Sequence, residues 1–323
     1  MERRTILVTG ANGFVGSALC SRLATMANFA TRAALRGTGH APVAGVQAVT
    51  VADLDATTPW GPALAGVDLV VHAAARVHVM KEDAADSLAE FRRVNVDGTL
   101  NLARQAAAAG VRRFIFISSI KVNGEASRPG VPLRADDVPA PKDAYGLSKY
   151  EAEQGLRQLA ASTAMEVVII RPVLVYGPGV KANFQSMMRW VQLGVPLPFG
   201  AVDNRRSLVS LANLVDLAVT CLDHPAAANQ TFLASDGDDV SLARLLGALG
   251  RALGRPARLL PVPSGVLRGA ALLLGRRDLV QRLLGSLQVD IEKNRRLLGW
   301  RPPHTLEQGL NMTAQSFLRA HRR

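Results

Sequence analysis

Three residues near the middle of the chain have the chemistry needed to move a proton at a substrate oxygen: Ser119, Tyr145 and Lys149. Tyr145 and Lys149 stand four positions apart in the segment YGLSK, a spacing that places both side chains on one face of a helix. A free phenol has a pKa of about 10, and a neighbouring ammonium group favours the phenolate and lowers that pKa. We therefore expect Lys149 to lower the pKa of Tyr145, Tyr145 to act as a general acid or base, and Ser119 to position the same oxygen.

Tyrosine–lysine pairs at this spacing also occur by chance on many helices, but a glycine-rich turn near the start of the chain gives the pair a context. The segment TGANGFVG places Gly10, Gly13 and Gly16 directly after a short apolar run, Thr5–Thr9. Glycine here permits a tight turn, a close approach of the backbone to a pyrophosphate, and close packing of the helix that follows. Because the N-terminus of a helix attracts phosphate, the turn predicts a dinucleotide-binding site.

The first half of the chain alternates short apolar runs with longer segments of helical period. The predicted strands are Thr5–Thr9, Thr31–Leu35, Val46–Val51, Leu69–His72, Arg113–Ser118 and Val167–Arg171, and the predicted helices are Phe14–Met26, Leu88–Gly110 and Lys149–Ser162. This alternation is typical of a doubly wound parallel sheet with helices on both faces. Ligands bind such sheets beyond the carboxyl ends of the strands.

The alternation is lost after Arg171, where several prolines interrupt the pattern. We expect a dinucleotide-binding domain over residues 1–176 and a smaller C-terminal α/β substrate domain over residues 177–323. Residues 206–224 are predicted to form a strand and a helix that return to the first domain.

The 323 residues include 38 lysines and arginines against 26 aspartates and glutamates, so the net charge is +12. This excess indicates an anionic partner, and composition alone leaves nucleic acid, an anionic membrane surface and a phosphorylated small molecule open. Aromatic residues make up only 5% of the chain, which disfavours nucleic acid because no stacking platform is evident. The 48% hydrophobic content excludes a disordered chain.

Two cysteines and six scattered histidines indicate neither a disulfide framework nor a metal site, so we expect no metal. The N-terminus enters a strand-like run by Thr5, which leaves no room for the apolar core of a signal peptide. The longest apolar stretch, Leu259–Leu274, is interrupted by prolines and Arg268 and is too short to span a bilayer. It is most simply a packed segment, although a lipid-surface role stays open. We expect a cytoplasmic protein without a membrane span.

Taken together, the motifs resemble the extended short-chain dehydrogenase/reductase family, which contains sugar-nucleotide epimerases, dehydratases and reductases on a Rossmann-type sheet. The resemblance covers essentially the whole chain and includes HAAA at 72–75, NVDGT at 95–99 and RPVLVYGPG at 171–179. It implies that Ser119, Tyr145 and Lys149 are the catalytic residues. The cofactor-binding residues that it implies are Gly10, Asn12, Gly13, Phe14, Val15, Gly16, Asp53, Leu54, Ala73, Ala74, Ala75, Asn95, Tyr145, Lys149 and Pro172.

The second predicted strand bears on the choice of cofactor. It ends with Arg36 and has no acidic residue nearby. In NAD-preferring relatives a carboxylate at this place binds the adenosine ribose, whereas a guanidinium binds the 2′-phosphate that a carboxylate repels. We therefore expect a preference for NADP(H), with NAD(H) left open.

The segment SSIKVNG helps to decide which reaction of this family the chain catalyses. It carries Ile120 and Lys121 where related sugar-nucleotide dehydratases have an aspartate–glutamate pair, so dehydration is disfavoured. The resemblance is strongest to a bacterial branch linked to surface-polysaccharide synthesis, such as lipopolysaccharide O-antigen. That branch includes UDP-sugar 4-ketoreductases and proteins called UDP-glucose 4-epimerases.

The resemblance also implies a UDP- or dTDP-linked sugar as substrate, with UDP favoured. The residues that would hold it are Ser119, Lys121, Asn183, Arg206 and Arg282, of which the last four have plain structural or surface roles as alternatives. We expect reduction of the C4 ketone of a UDP-4-keto-6-deoxy-N-acetylhexosamine. The alternatives are 4-epimerisation of a UDP-hexose with bound NAD and, as a minor one, a non-catalytic cofactor sensor. Relatives often dimerise through two helices, here within 88–110 and 149–162, so a homodimer is a further expectation.

Overall fold

A computed structural model of the protein describes residues 3–37, 43–77, 84–128, 130–273 and 283–321. Seven parallel strands form a central sheet in the order β3-β2-β1-β4-β5-β6-β9. They are β1 (Arg4–Thr9), β2 (Phe29–Arg36), β3 (Gln47–Val51), β4 (Leu69–His72), β5 (Arg113–Ile117), β6 (Glu166–Pro172) and β9 (Thr231–Ala234). The expected doubly wound, Rossmann-type parallel sheet is confirmed.

The helices are α1 (Phe14–Ala24), α2 (Gly61–Leu64), α3 (Ala84–Phe91), α4 (Thr99–Ala108), α5 (Ala144–Ser162), α6 (Ala182–Leu193), α7 (Leu211–Asp223), α8 (Leu242–Ala252), α9 (Ser264–Leu273), α10 (Glu292–Leu298) and α11 (Leu306–Ala320). Helices α1 and α7 pack on one face of this sheet and α4 and α5 on the other, while several later helices pack on a smaller sheet described below. Successive strand residues point to opposite faces, so Leu7 and Val8 of β1 belong to different cores. Val8 lies in the core with α1 and α7, and Leu7 in the core with α4 and α5.

The predicted helix Leu88–Gly110 is interrupted, because the wider turns of a π-helix, Arg92–Gly98, separate α3 from α4. Asn95 lies on these turns and is buried, and its side-chain amide bonds both the N–H and the C=O of Arg76. Gly98 packs so closely on Leu54 that a Cβ would lie 2.7 Å from the Leu54 Cγ. The π-helix therefore joins this helical segment to the loops that follow β3 and β4.

A smaller sheet has the order β10-β8-β7, formed by β7 (Leu174–Tyr176), β8 (Arg206–Ser210) and β10 (Asp239–Val240). Phe184, Leu246 and Leu310, from α6, α8 and α11, share a third hydrophobic core with it. β8 belongs to this smaller sheet, whereas α7 packs against α1 and β9 joins the large sheet. The domain boundary near residue 177 stays a prediction. Among the described helices, none is both long and apolar enough to cross a bilayer.

Candidate active site

The glycine turn packs directly on the segment that follows β4. Gly10 has a φ of +66°, and a Cβ there would lie 2.7 Å from the backbone nitrogen of Ala74. A Cβ on Gly16 would lie 2.1 Å from the Gly10 carbonyl oxygen, so α1 begins against the turn itself. Gly13 is the N-cap of α1 and brings no capping side chain, and the first turn of α1 contains no acidic residue. The first N–H groups of α1 are therefore available to an anion.

A cleft of about 700 Å³ opens at this turn, a size suited to a dinucleotide. The predicted cofactor residues that line it are Gly10, Asn12, Gly13, Arg36, Asp53, Leu54, Ala73, Ala74 and Ala75. Sequence reasoning missed Trp60, Arg76 and Arg93, which line it too. Of the other predicted residues, Phe14, Val15 and Gly16 start α1, and Pro172 ends β6. The glycine turn, the open N-terminus of α1 and the shape of the cleft thus fit a nicotinamide dinucleotide.

Arg36 stands at the carboxyl end of β2, at the rim of the cleft. Its Nη1 lies 3.3 Å from Oδ1 of Asp53, and the side chains of the two residues are 78% and 69% exposed. Such an exposed ion pair contributes little to stability, so the guanidinium is free to turn to another anion.

Ser119 and Tyr145 are positioned by the contact between the turn after β5 and the start of α5. Ser119 caps a 3-10 turn, Ile120–Val122, by accepting a hydrogen bond from the Lys121 N–H at 3.3 Å. At the N-cap of α5, Asp143 accepts one from the Gly146 N–H at 2.7 Å. A Cβ on Gly146 would lie 2.9 Å from the Lys121 carbonyl oxygen, so the helix and the turn touch through their backbones. The half-buried Tyr145, next to Gly146, therefore lies at the turn that Ser119 caps.

Lys149 is buried one turn further along α5. Its Nζ donates to the carbonyl oxygen of Ile117 at 2.9 Å and lies 4.4 Å from the centroid of the Phe116 ring. Burial lowers the pKa of Lys149 to about 7, against an opposing effect of the Glu153 carboxylate. The ammonium group thus lies under the carboxyl end of β5, next to the residues that precede Ser119.

The structure does not show the lowering of the Tyr145 pKa that Lys149 together with a cationic nicotinamide is expected to produce. Burial, together with the Asp143 carboxylate, raises the pKa of Tyr145 to about 12. The phenol ring packs edge-on against Phe91, with the ring centroids 5.9 Å apart, while the Lys149 ammonium bonds the Ile117 carbonyl. Desolvation is the larger of the two causes that raise the pKa of Tyr145.

His72 and Asn95 hold the wall of the cleft in place. The two ring nitrogens of His72 bond Thr9 Oγ1 at 2.6 Å and Thr99 Oγ1 at 2.9 Å. Burial, with a smaller effect of Lys149, lowers the pKa of His72 to about 3, so the ring is neutral. The amide of Asn95 also donates to Ser148 Oγ at 3.1 Å, which connects the cleft to α5.

A buried ionic network that sequence reasoning missed lies behind these residues. Glu153 and Arg171, each with a side chain 1% exposed, form two hydrogen bonds of 2.9 and 2.5 Å. Glu153 Oε1 also accepts from Ser118 Oγ at 2.6 Å, and Arg171 donates to Asn123 Oδ1 at 2.9 Å. The available signal was the position of Glu153, four residues after Lys149 on the same face of α5.

The predicted substrate residues have mixed placements. Lys121 forms ion pairs with Asp143 and, at 3.5 Å, with Glu125. Asn183 is exposed on the first turn of α6, and Arg206 begins β8 and donates to the Gly285 carbonyl at 3.1 Å. Arg282 lies outside the described residues. In the ranges that the structure describes, no group of three or more His, Cys, Asp or Glu side chains is placed to hold a metal ion.

Comparisons with known proteins point to one family. A model described as "NAD dependent epimerase/dehydratase family" matches residues 6–234. A curated UDP-glucose 4-epimerase of Vibrio cholerae is 51% identical over 322 residues, which cover 99% of this chain and 97% of the relative.

Two solved structures share the fold. UDP-glucuronic acid 4-epimerase from Bacillus cereus, in complex with NAD, superposes with a TM-score of 0.79 at 21% identity, over 98% of each chain. A short-chain dehydrogenase/reductase superfamily protein from Agrobacterium tumefaciens, with bound NAD, superposes with a TM-score of 0.75 at 25% identity, over 99% of this chain and 100% of that one.

Proposed function

This chain belongs to the NAD dependent epimerase/dehydratase family, and we propose that it catalyses hydride transfer at C4 of a UDP-linked sugar. The observation that carries the proposal is the backbone contact between the Ser119 turn and the start of α5, together with the bond from Lys149 Nζ to the Ile117 carbonyl oxygen at the end of β5. The cleft that begins at the glycine turn opens at the same edge of the sheet. The Vibrio cholerae relative supports C4 of a UDP-sugar as the reacting centre.

A bound nicotinamide cofactor supplies or accepts the hydride at C4, and the side chains of this chain handle the proton at O4. In the direction of reduction, Tyr145 Oη donates its proton to O4 as the ketone becomes an alcohol, and Ser119 Oγ holds the same oxygen. Lys149 would hold the nicotinamide ribose and would stabilise the phenolate that donation leaves behind.

The finer proposal is reduction by NADPH of the C4 ketone of a UDP-4-keto-6-deoxy-N-acetylhexosamine. One ketone, one NADPH and one proton give one alcohol and one NADP⁺. Arg36 supports this direction, because its guanidinium lies at the end of β2 and at the rim of the cleft, in reach of an adenosine 2′-phosphate. A reductase releases the oxidised cofactor after each turnover, which suits a cofactor drawn from solution.

The second candidate is 4-epimerisation of a UDP-hexose. The 51% identity to a UDP-glucose 4-epimerase favours it. Tyr145 would then first remove the proton from O4, and the hydride would return to the opposite face of the ketone. This reaction regenerates its own cofactor, so tightly held NAD and no net change in reduced cofactor would accompany it.

Cofactor and substrate assays distinguish the two candidates. Protein purified without added cofactor is denatured, and any released NAD or NADP is identified by mass spectrometry. It is then incubated with NADPH and the 4-keto sugar nucleotide, and separately with UDP-glucose and UDP-N-acetylglucosamine. Loss of absorbance at the NADPH band in a one-to-one ratio with the ketone supports reduction. Epimer formation without net NADPH oxidation would replace reduction by epimerisation.

Two variants test the assigned roles. Arg36→Asp should shift the affinity ratio from NADPH towards NADH, whereas Arg301→Asp, the same charge change at an exposed arginine outside the cleft lining, should not. If the unsubstituted protein binds both cofactors with equal affinity, and Arg36→Asp does the same, the role of Arg36 is contradicted.

Tyr145→Phe keeps the ring that packs on Phe91 and should lower kcat by about 10² to 10⁴ while cofactor binding stays measurable. Unchanged turnover in Tyr145→Phe would exclude the mechanism, and no turnover of any tested sugar by the unsubstituted protein would favour a cofactor sensor.

A further inference from the structure

Part of the excess positive charge is concentrated on one segment of the chain. Residues 241–273 contain five arginines and no acidic residue. Two of them pair with carboxylates outside the segment: Arg244 with Asp238 at 2.7 Å, and Arg251 with Glu307 at 3.4 Å. The arginines left without a carboxylate partner, as far as the structure describes the chain, are Arg255, Arg258 and Arg268. All three are exposed, so this part of the surface is locally cationic.

The same segment exposes an unusual amount of apolar surface. Leu267 of α9 packs on the core of the smaller sheet, whereas Val266, Leu272 and Leu273 of the same helix are exposed. Leu273 retains 91% of its accessible surface. The sequence of α9, SGVLRGAALL, holds one charged residue, Arg268, in ten. An apolar helix that touches its own protein along one side leaves the other side for a partner.

The exposed arginines and the exposed apolar residues follow one another within residues 255–273 of the chain. Residues 258–260 run beside Leu197, and the backbone bonds between the two segments are 2.8 Å long. Side chains alternate along an extended segment, so Leu259 packs on the core while Arg258 and Leu260 are exposed. The guanidinium of Arg255 donates to the Gln192 carbonyl at 2.5 Å, next to the exposed Leu193. We call residues 255–260 together with α9 the basic apolar face.

We propose that the basic apolar face binds peripherally to the surface of an anionic phospholipid bilayer. Arginines there would meet the lipid phosphates, and the exposed leucines of α9 would enter the boundary between headgroups and acyl chains. A helix of ten residues is about 15 Å long, half the thickness of the hydrocarbon core, and is suited to lie in the plane of the interface.

The charge pattern favours a lipid surface over the other occupants. A second copy that covers this face with its own basic apolar face would oppose arginines with arginines, which costs free energy. Nucleic acid would pair with the arginines but would leave Val266, Leu272 and Leu273 against a charged backbone. An anionic bilayer is complementary to both kinds of side chain.

Vesicle co-sedimentation tests the proposal with the full chain. We expect binding to phosphatidylglycerol vesicles at low ionic strength, at least about tenfold weaker binding to phosphatidylcholine vesicles, and weakening as salt is added. Arg258→Gln with Arg268→Gln should reduce partitioning into phosphatidylglycerol about 25-fold, at about fivefold for each arginine. Leu272→Ser with Leu273→Ser should reduce it about tenfold or more, since the leucines lose their apolar contact with the acyl chains.

Two controls match these variants. Arg301→Gln removes an exposed arginine elsewhere, and Val138→Ser removes a side chain that is 87% exposed and outside the basic apolar face. Both should bind vesicles like the unsubstituted protein, and all variants should keep cofactor binding. No binding to phosphatidylglycerol at low salt, or equal binding by the face and control variants, overturns the proposal. A dimer in solution that Leu273→Ser dissociates, without vesicle binding, would make this face a subunit interface instead.

Discussion

Substitution of Arg171 by Met is expected to cost the protein more stability than any change of a surface charge. The guanidinium of Arg171 is the main partner of Glu153, and both side chains are 1% exposed. Methionine is close to arginine in length and fills the space with apolar atoms, so the change removes the charge without opening a large cavity. The Glu153 carboxylate is then left in the interior with Ser118 Oγ at 2.6 Å as its close partner.

The magnitude follows from the loss of one partner of a buried pair, about 3–5 kcal/mol of unfolding free energy. Asn123 Oδ1 also loses the donor that lies 2.9 Å away, which adds to the cost because a buried acceptor without a partner is unfavourable. The matched control is Arg157→Met. Arg157 approaches the same carboxylate at 3.4 Å, but its side chain is 53% exposed, so we expect a loss of at most about 1 kcal/mol.

Urea unfolding followed by far-ultraviolet circular dichroism measures these differences without screening the ion pair. The series consists of Arg171→Met, Glu153→Leu, the double variant and Arg157→Met. Removing both charges leaves neither ion uncompensated, so the double variant should be more stable than either single variant. A cost below about 1 kcal/mol for Arg171→Met, or a double variant that loses the sum of the two single losses, would refute the reasoning.

Three further predictions concern the site. Gly16→Val places a Cβ 2.1 Å from the Gly10 oxygen and should abolish cofactor binding in calorimetric titration; binding of unchanged affinity would exclude this turn as the phosphate site. Thr99→Val removes the hydrogen bond to a His72 ring nitrogen and should lower the free energy of unfolding by about 1–3 kcal/mol in thermal or urea unfolding. An unchanged free energy of unfolding would show that this bond contributes nothing to stability. Burial lowers the pKa of Lys149 to about 7 from 10.5. Between those pH values the unfolded chain binds more protons than the folded one, so the free energy of unfolding should rise with pH. If a Lys149→Met variant showed the same rise, Lys149 would not be its origin.

Local rules account for what could be predicted from the sequence. The strands of the first half lie close to where apolar runs predicted them. β4 and β5 are buried along their whole length, as expected for strands covered on both faces of a parallel sheet, whereas β3 lies at the sheet edge and is mostly exposed. The glycines at 10, 13 and 16 could be assigned to a turn because only glycine tolerates the close approaches found there. The four-residue spacing of Tyr145 and Lys149 placed both on one turn of α5, since helical geometry depends on neighbours alone.

The partners and the charge states of the site residues depend on contacts between distant parts of the chain, which the sequence alone does not show. Lys121 looked available to a substrate, yet folding brings Asp143 to its ammonium group from 22 residues away. Glu153 pairs with Arg171 because α5 packs against β6 in the folded protein. The helix expected over 88–110 contains a π-helix, in which Asn95 bonds the backbone of Arg76. Burial and the Asp143 carboxylate raise the pKa of Tyr145, and neither cause could be deduced from its spacing to Lys149. Spacing along a chain sets which side chains share a face, but burial and the partners across the sheet set their charge, and both exist only in the folded protein.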